Sequence, residues 1–156
     1  MKKSISRLLA VVCLVLCFSG CGNINNKDVK THKAYTFTVD TGDKIRIELD
    51  TTDGYDLTSN LPFEISADSK ILSQGTFIEA DKYEQYVSIV NSDTNASLID
   101  SGTKGSNKYI FWSYNNSEYD IAILIGDSHT GILLGNTTSE ESARECFERL
   151  TISVED

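Results

Sequence analysis

The sequence predicts an α+β fold: an antiparallel sheet, made of N-terminal hairpins plus a four-strand meander, packed with two helices, the second at the C-terminus. Three observations carry that expectation. Residues 35–49 alternate apolar and polar side chains around a turn, which is the period of half-buried strands. Residues 96–134 hold four short strand-like runs whose connections are too short for helical crossovers, so they pair as an antiparallel meander. Two segments open on capping residues and continue with apolar side chains at helical spacing.

Taken in order, Tyr35, Phe37 and Val39 alternate with Thr36 and Thr38, and Ile45, Ile47 and Leu49 with Lys44, Arg46 and Glu48, around the turn Asp40-Thr41-Gly42-Asp43. Asp50-Thr51-Thr52-Asp53-Gly54-Tyr55-Asp56 is rich in turn formers and reads as a loop. Phe63-Glu64-Ile65 and Ile71 to Phe77 make a second strand pair around Asp68-Ser69-Lys70. Asp81 is placed as an N-cap with Glu84 three residues on, and Tyr83, Tyr86, Val87 and Val90 follow as one helical face. The meander comprises Ala96 to Ser101, Lys108 to Tyr114, Tyr119 to Ile125 and Gly131 to Leu134. Ile121 to Ile125 is apolar at every position, which places that strand centrally with both faces covered. Thr138-Ser139-Glu140-Glu141 is another capping box. Ala143, Cys146, Phe147 and Leu150 form the apolar stripe of the helix it opens, and Glu140–Arg144 and Glu145–Arg149 are i,i+4 pairs in the favourable order. Ile152 and Val154 fit a short edge strand.

Ahead of this domain, Lys2, Lys3 and Arg7 precede an apolar run, Leu8 to Phe18, that is short for a bilayer span. Ser19-Gly20 then supplies small residues before a cysteine. Residues 1–20 therefore read as a signal peptide, 21–33 as a flexible tether and 34–156 as one globular domain. Removing the signal leaves 136 of the 156 residues, enough for one domain with its own core. It also takes three positive charges and no negative one, moving the formal charge from −9 to −12. Such an acidic balance lacks the basic footprint that nucleic-acid binding requires and gives no electrostatic attraction to anionic lipid. Cys13 and Cys17 leave with the signal, which leaves Cys21 and Cys146.

Phe18-Ser19-Gly20-Cys21 resembles the lipobox of bacterial lipoproteins, with Phe18 where an aliphatic residue is usual. The resemblance implies that the Cys21 thiol carries a diacylglyceryl group and becomes the first residue of the processed chain, so that Cys146 alone stays a free thiol and no intrachain disulfide is expected. Two acyl chains hold firmly where one holds marginally, at about 0.8 kcal/mol for each buried methylene. The order of elements, with Tyr109-Ile110-Phe111, Ile121-Ala122-Ile123-Leu124 and the capped last helix, is similar to the PsbP-like class of α/β/α sandwiches. That class implies a non-enzymatic accessory role by fold analogy alone.

Several stretches invite chemistry. Ile125-Gly126-Asp127-Ser128-His129 resembles the nucleophile block of the GDS-type esterases, in which the serine follows a strand and meets a histidine base. Here the block lies late in the chain, His129 is the last histidine and a strand follows where a helix should start, so a hairpin turn accounts for the same residues. Asp50, Asp53 and Asp56 lack the alternation and closing glutamate of a calcium loop. Gly102-Thr103-Lys104-Gly105-Ser106 lacks the spacing of a phosphate-binding loop. His32 and His129 are too far apart in sequence to imply a shared metal. Cys146 belongs to an apolar stripe, where cysteine packs as a small hydrophobe. In Tyr109 to Tyr114, Trp112 and Tyr114 share a face and would form an aromatic ligand or partner patch if left uncovered; plain core packing is the favoured assignment.

The resulting expectation is a lipoprotein held at the extracytoplasmic face of the cell membrane through Cys21. It would act without cofactor or metal as a binding or accessory module for an envelope protein or small ligand. A hydrolase using Ser128 and an immunity- or inhibitor-type lipoprotein are the competing readings.

Overall fold

The computed structural model describes residues 31–155. The expected signal, Cys21 and most of the expected tether lie outside the described residues. Strands β1 (His32–Thr38) and β2 (Lys44–Asp50) form the first hairpin, and a single 3₁₀ turn (Thr52–Gly54) leads to β3 (Tyr55–Leu57). Then follow β4 (Phe63–Ala67), β5 (Lys70–Glu79), helix α1 (Ala80–Ser92) and the meander β6 (Ala96–Lys104), β7 (Asn107–Tyr114), β8 (Glu118–Leu124) and β9 (Thr130–Asn136). Helix α2 (Glu140–Arg149) and β10 (Leu150–Glu155) close the chain. The α+β architecture is that expected, but its strands divide between two antiparallel sheets. One is three-stranded, in the order β1-β2-β10; the other is seven-stranded, in the order β3-β4-β5-β9-β8-β7-β6.

Local chemistry explains the turns. Asp68 and Ser69 both take positive φ (50° and 64°), as do Asn115 and Asn116 (51° and 54°). Paired left-handed residues match the twist of a tight hairpin, and Asn and Asp tolerate them best. Sheet pairing then follows apolar alternation. In β2, Ile45, Ile47 and Leu49 are fully buried while the residues between them reach solvent. On the inner face of the large sheet, Phe111, Ile121, Ile123, Ile132 and Leu134 join these side chains and Ala143, Cys146 and Phe147 of α2 in one core. Burial of each large apolar side chain there contributes about 1.5–3 kcal/mol. Phe63 lies opposite Gly75, where an added Cβ would fall 2.0 Å from the Phe63 ring. The glycine lets that ring lie flat on the strand and meet Phe37 and Phe77 at centroid distances of 6.2 and 6.3 Å.

The outer face of the large sheet carries a second, smaller cluster under α1: Tyr83 and Val90 of the helix against Ile110, Trp112 and Ala122. The molecule is thus layered as α1, the seven-stranded sheet, and a third layer shared by α2 and the small sheet. Both helix starts differ from the expected boxes. Helix α1 has no side-chain cap; its first amide, of Ala80, donates to the His129 carbonyl at 2.9 Å, and Asp81 lies within the first turn. In α2 the cap is Ser139, whose Oγ accepts from the Ser142 amide at 3.1 Å. Strand β1 begins two residues inside the stretch expected as tether, and β3 claims Tyr55 and Asp56 from the expected loop. Among the described residues no helix is long and apolar enough to cross a membrane.

Candidate functional site

Helix α1 covers only part of the outer sheet face. Toward β5 that face stays open, and strand register decides what shows there. Gln74 and Thr76 of β5 lie opposite Gly135 and Leu133 of β9, and Gly135 in turn lies opposite Asp120 of β8. Alternation puts Glu118 on the same side two residues earlier. These side chains floor a groove of about 390 Å³, walled at the far side by Pro62 and Ile71. Ile71 is 50% exposed. Gly135 keeps the floor low: a Cβ there would stand 3.2 Å from Asp120 Oδ1.

Asp120 is the electrostatic centre of the groove. Burial, and next to it the charge of Glu118, push its carboxyl up to about 6. It forms no hydrogen bond or ion pair with any described residue. Desolvation without a compensating donor or cation is what raises a carboxyl in this way. Such perturbed groups in concave sites are the ones to examine for function. Three other carboxylates are answered. Lys33 holds Asp56 low through a 2.7 Å contact. Asp43 is held low first by the Thr130 hydroxyl, at 2.7 Å, and then by the His129 amide, at 3.0 Å. Tyr55 and Arg149 hold Glu145 low.

The residues singled out in the sequence fall in several places. Trp112 is 4% exposed; α1 lies over it, and Tyr86 stacks on its ring at 5.6 Å. The open aromatic patch is therefore corrected to a packed one, with only Tyr114 of the pair partly exposed. The reason is the apolar stripe of α1, which finds its counterpart on this part of the sheet. Ser128 Oγ donates to the Ile125 carbonyl at 2.7 Å and accepts from the Thr130 amide at 3.1 Å. Among the described residues no imidazole bonds to it, so the hydroxyl closes a turn. His129 contributes its backbone: its amide binds Asp43 and its carbonyl caps α1. The Gly-Asp-Ser-His turn thus fastens the β1–β2 hairpin and α1 to the large sheet.

The three loop aspartates diverge. Asp50 accepts from the Thr52 amide at 2.9 Å, Asp53 pairs with Arg149 at 2.8 Å and Asp56 with Lys33. No group of three His, Cys, Asp or Glu able to hold a metal occurs among the described residues. Lys104 reaches from the β6–β7 turn to the end of α2, where Nζ donates to the carbonyls of Phe147 and Glu148 at 2.6 and 2.8 Å. There it satisfies orphan carbonyls and meets the negative end of the helix. His32 sits 3.4 Å from Glu48. Cys146 is fully buried, and burial pushes its thiol up.

Sequence reading passed over Asp120, although two signals pointed to it. It is a charge at the head of an otherwise apolar strand, and Gly135 interrupts the interior of the neighbouring one. A glycine inside a strand often marks the close approach of something else. By architecture the chain is a two-sheet α+β domain with one acidic groove on the outer face of its larger sheet. Comparison with protein-family models, with curated proteins and with solved structures finds no match to this chain.

Proposed function

We propose that the protein is a lipid-anchored module of the extracytoplasmic membrane face that binds an envelope protein or small ligand and catalyses nothing itself. The anchor rests on Phe18-Ser19-Gly20-Cys21 behind a basic and apolar leader. The observation that supports the binding role is the groove, where the half-buried Asp120 carboxylate, without a hydrogen-bond or ion-pair partner among the described residues, stands beside Pro62, Ile71 and Leu133. Open concavities with a few placed polar groups are how small-ligand sites are usually built. The groups that would have to serve a hydrolase are committed to structure instead, Ser128 to its turn and His129 to Asp43 and α1. Replacing Cys21 with Ser is expected to move the protein from the membrane pellet to the soluble fraction of host cells and to abolish incorporation of labelled palmitate. Retention in the pellet without label would overturn the lipid anchor.

A further inference from the structure

We infer that the groove beside α1 seats a small aliphatic cation, an amine or guanidine whose charge meets Asp120 and whose stem lies along Leu133 and Ile71. The inference rests on the binding role proposed above and names the chemistry of what is bound.

Four features of the groove converge on that class. Asp120 and Glu118 face the same opening, and neither pairs with a cation among the described residues. A ligand bearing positive charge offsets both the desolvation of Asp120 and its repulsion by Glu118, whereas a neutral donor offsets only the first. Part of the lining is apolar. Pro62, Ile71 and Leu133 line the space, and an alkyl stem covers such carbon while its charged head stays at the carboxylate. Two carboxylates, with Gln74 and Thr76 beside them on the floor, fall short of what a hard divalent ion takes, because calcium takes six to eight oxygens and magnesium demands an octahedral set. The volume, about 390 Å³, lies at the small end of ligand sites, which span roughly 300–1,000 Å³. Gly135 leaves the approach to Asp120 Oδ1 clear, since a Cβ there would stand 3.2 Å from that oxygen.

The floor belongs to three adjoining strands of one sheet, β5, β9 and β8. Leu133, Gly135 and Asp120 are therefore flanked by paired strands on both sides, and Thr76 is paired to β9, so the seat exists before the ligand arrives. Preformed geometry limits the ordering cost of binding. The Lys and Arg side chains that the fold uses are engaged elsewhere: Lys33 with Asp56, Lys104 with the end of α2, Arg144 with Glu140 and Asp100, and Arg149 with Asp53 and Glu145.

The test is titration of the full-length chain in detergent micelles with spermidine, agmatine, a neutral diol of matched length, magnesium chloride and a short lysine-rich peptide. Amide shifts are followed by NMR and heats by calorimetry. The expected result is saturable binding of the two organic cations with shifts centred on Thr76, Leu133 and Gly135, weakened about tenfold or more by Asp120→Asn. Gly135→Ala, which narrows the approach to Asp120, is expected to weaken it as well. Equal shifts with the neutral diol, or equal response to magnesium, would overturn the ligand class. Binding by the peptide alone would also overturn it, by assigning the seat to a protein partner's side chain. Absence of saturable binding to any probe would overturn the groove as a site. Mass analysis of the recovered probe separates the two readings: a bound but chemically altered amine would refute the non-catalytic function and leave the cation seat standing.

Discussion

Two acidic regions of this molecule treat charge in opposite ways. At the end of α2, Arg149 donates to the Thr52 carbonyl at 2.8 Å, to Asp53 at 2.8 Å and to Glu145 at 3.0 Å, and its guanidinium lies 4.0 Å from the centre of the Tyr55 ring. Each carboxylate there has a donor, and Glu145 is held low by Tyr55 and Arg149. The Tyr55 hydroxyl is correspondingly pushed up to about 12, by burial first and by Glu145 next. In the groove beside α1, Asp120 is half-buried with no donor among the described residues and with Glu118 for company, and its carboxyl rises to about 6. The first region ties the loop after β2 to α2 and so helps hold the third layer together. The second contributes nothing to holding the fold and works against it once ionised. Charge that is fully answered from within belongs to structure, whereas charge held unanswered in a groove is available to a ligand.

That contrast can be broken experimentally. Arg149→Met keeps the stem and removes the donors, leaving Asp53 and Glu145 repelling each other. It is expected to destabilise the fold by about 2–3 kcal/mol, read as a lowered midpoint in urea at constant slope. Asp120→Asn should act in the opposite direction. The folded pKa of Asp120, about 6, lies above the unfolded value of about 3.9. The native state therefore tolerates the neutral acid below pH 4; the cost builds as the pH climbs from about 4, where the unfolded chain ionises, to about 6, and is constant above that. Near pH 7.5 the Asn variant is expected to be more stable by about 2 kcal/mol, allowing for partial solvent screening. By pH 4 the thermal melts of the two proteins should coincide. A variant destabilised at neutral pH would show instead that Asp120 is answered in the fold, and the distinction between the regions would fall. The smallest effect concerns Lys104. Lys104→Met withdraws its ammonium from the carbonyls of Phe147 and Glu148 while keeping most of its contact with the Phe147 ring. A loss of about 1 kcal/mol is expected, with faster hydrogen exchange confined to the last turn of α2.

Much of the fold was legible because its signals are local. The alternation in residues 35–49, the turn at Asp68-Ser69 and the four runs of the meander all mark strands that form. Both helices fall where the apolar stripe repeats at helical spacing. Their starts shift by a residue or so, because Ser139 outcompetes Thr138 as the cap and because α1 takes its cap from the carbonyl of His129, far along the chain. Strand β3 escaped notice, since three residues in a turn-rich stretch carry too little pattern to register. The candidate site was legible only in part. Trp112 drew attention as an aromatic on an alternating strand, yet α1 packs over it. Asp120, directly across the β7–β8 pair from Trp112, lies where that cover ends. Which residue is sheltered and which is open depends on the path of a helix across a sheet, and no local pattern encodes that path.

The sequence by itself determined the α+β class, the strands and helices with strong periodicity, and the acidic balance. Those properties follow from side-chain spacing and composition, which need no partner to be read. Only the tertiary structure decided that the strands divide into sheets of three and seven, that β10 returns to pair with β2, and that Ser128 and His129 fasten a turn. Only the tertiary structure, too, brought Gln74, Thr76, Asp120, Leu133 and Gly135 to one open surface. Pairings across tens of residues are set by which apolar faces bury together most completely. That is a property of the assembled layers and of no single segment.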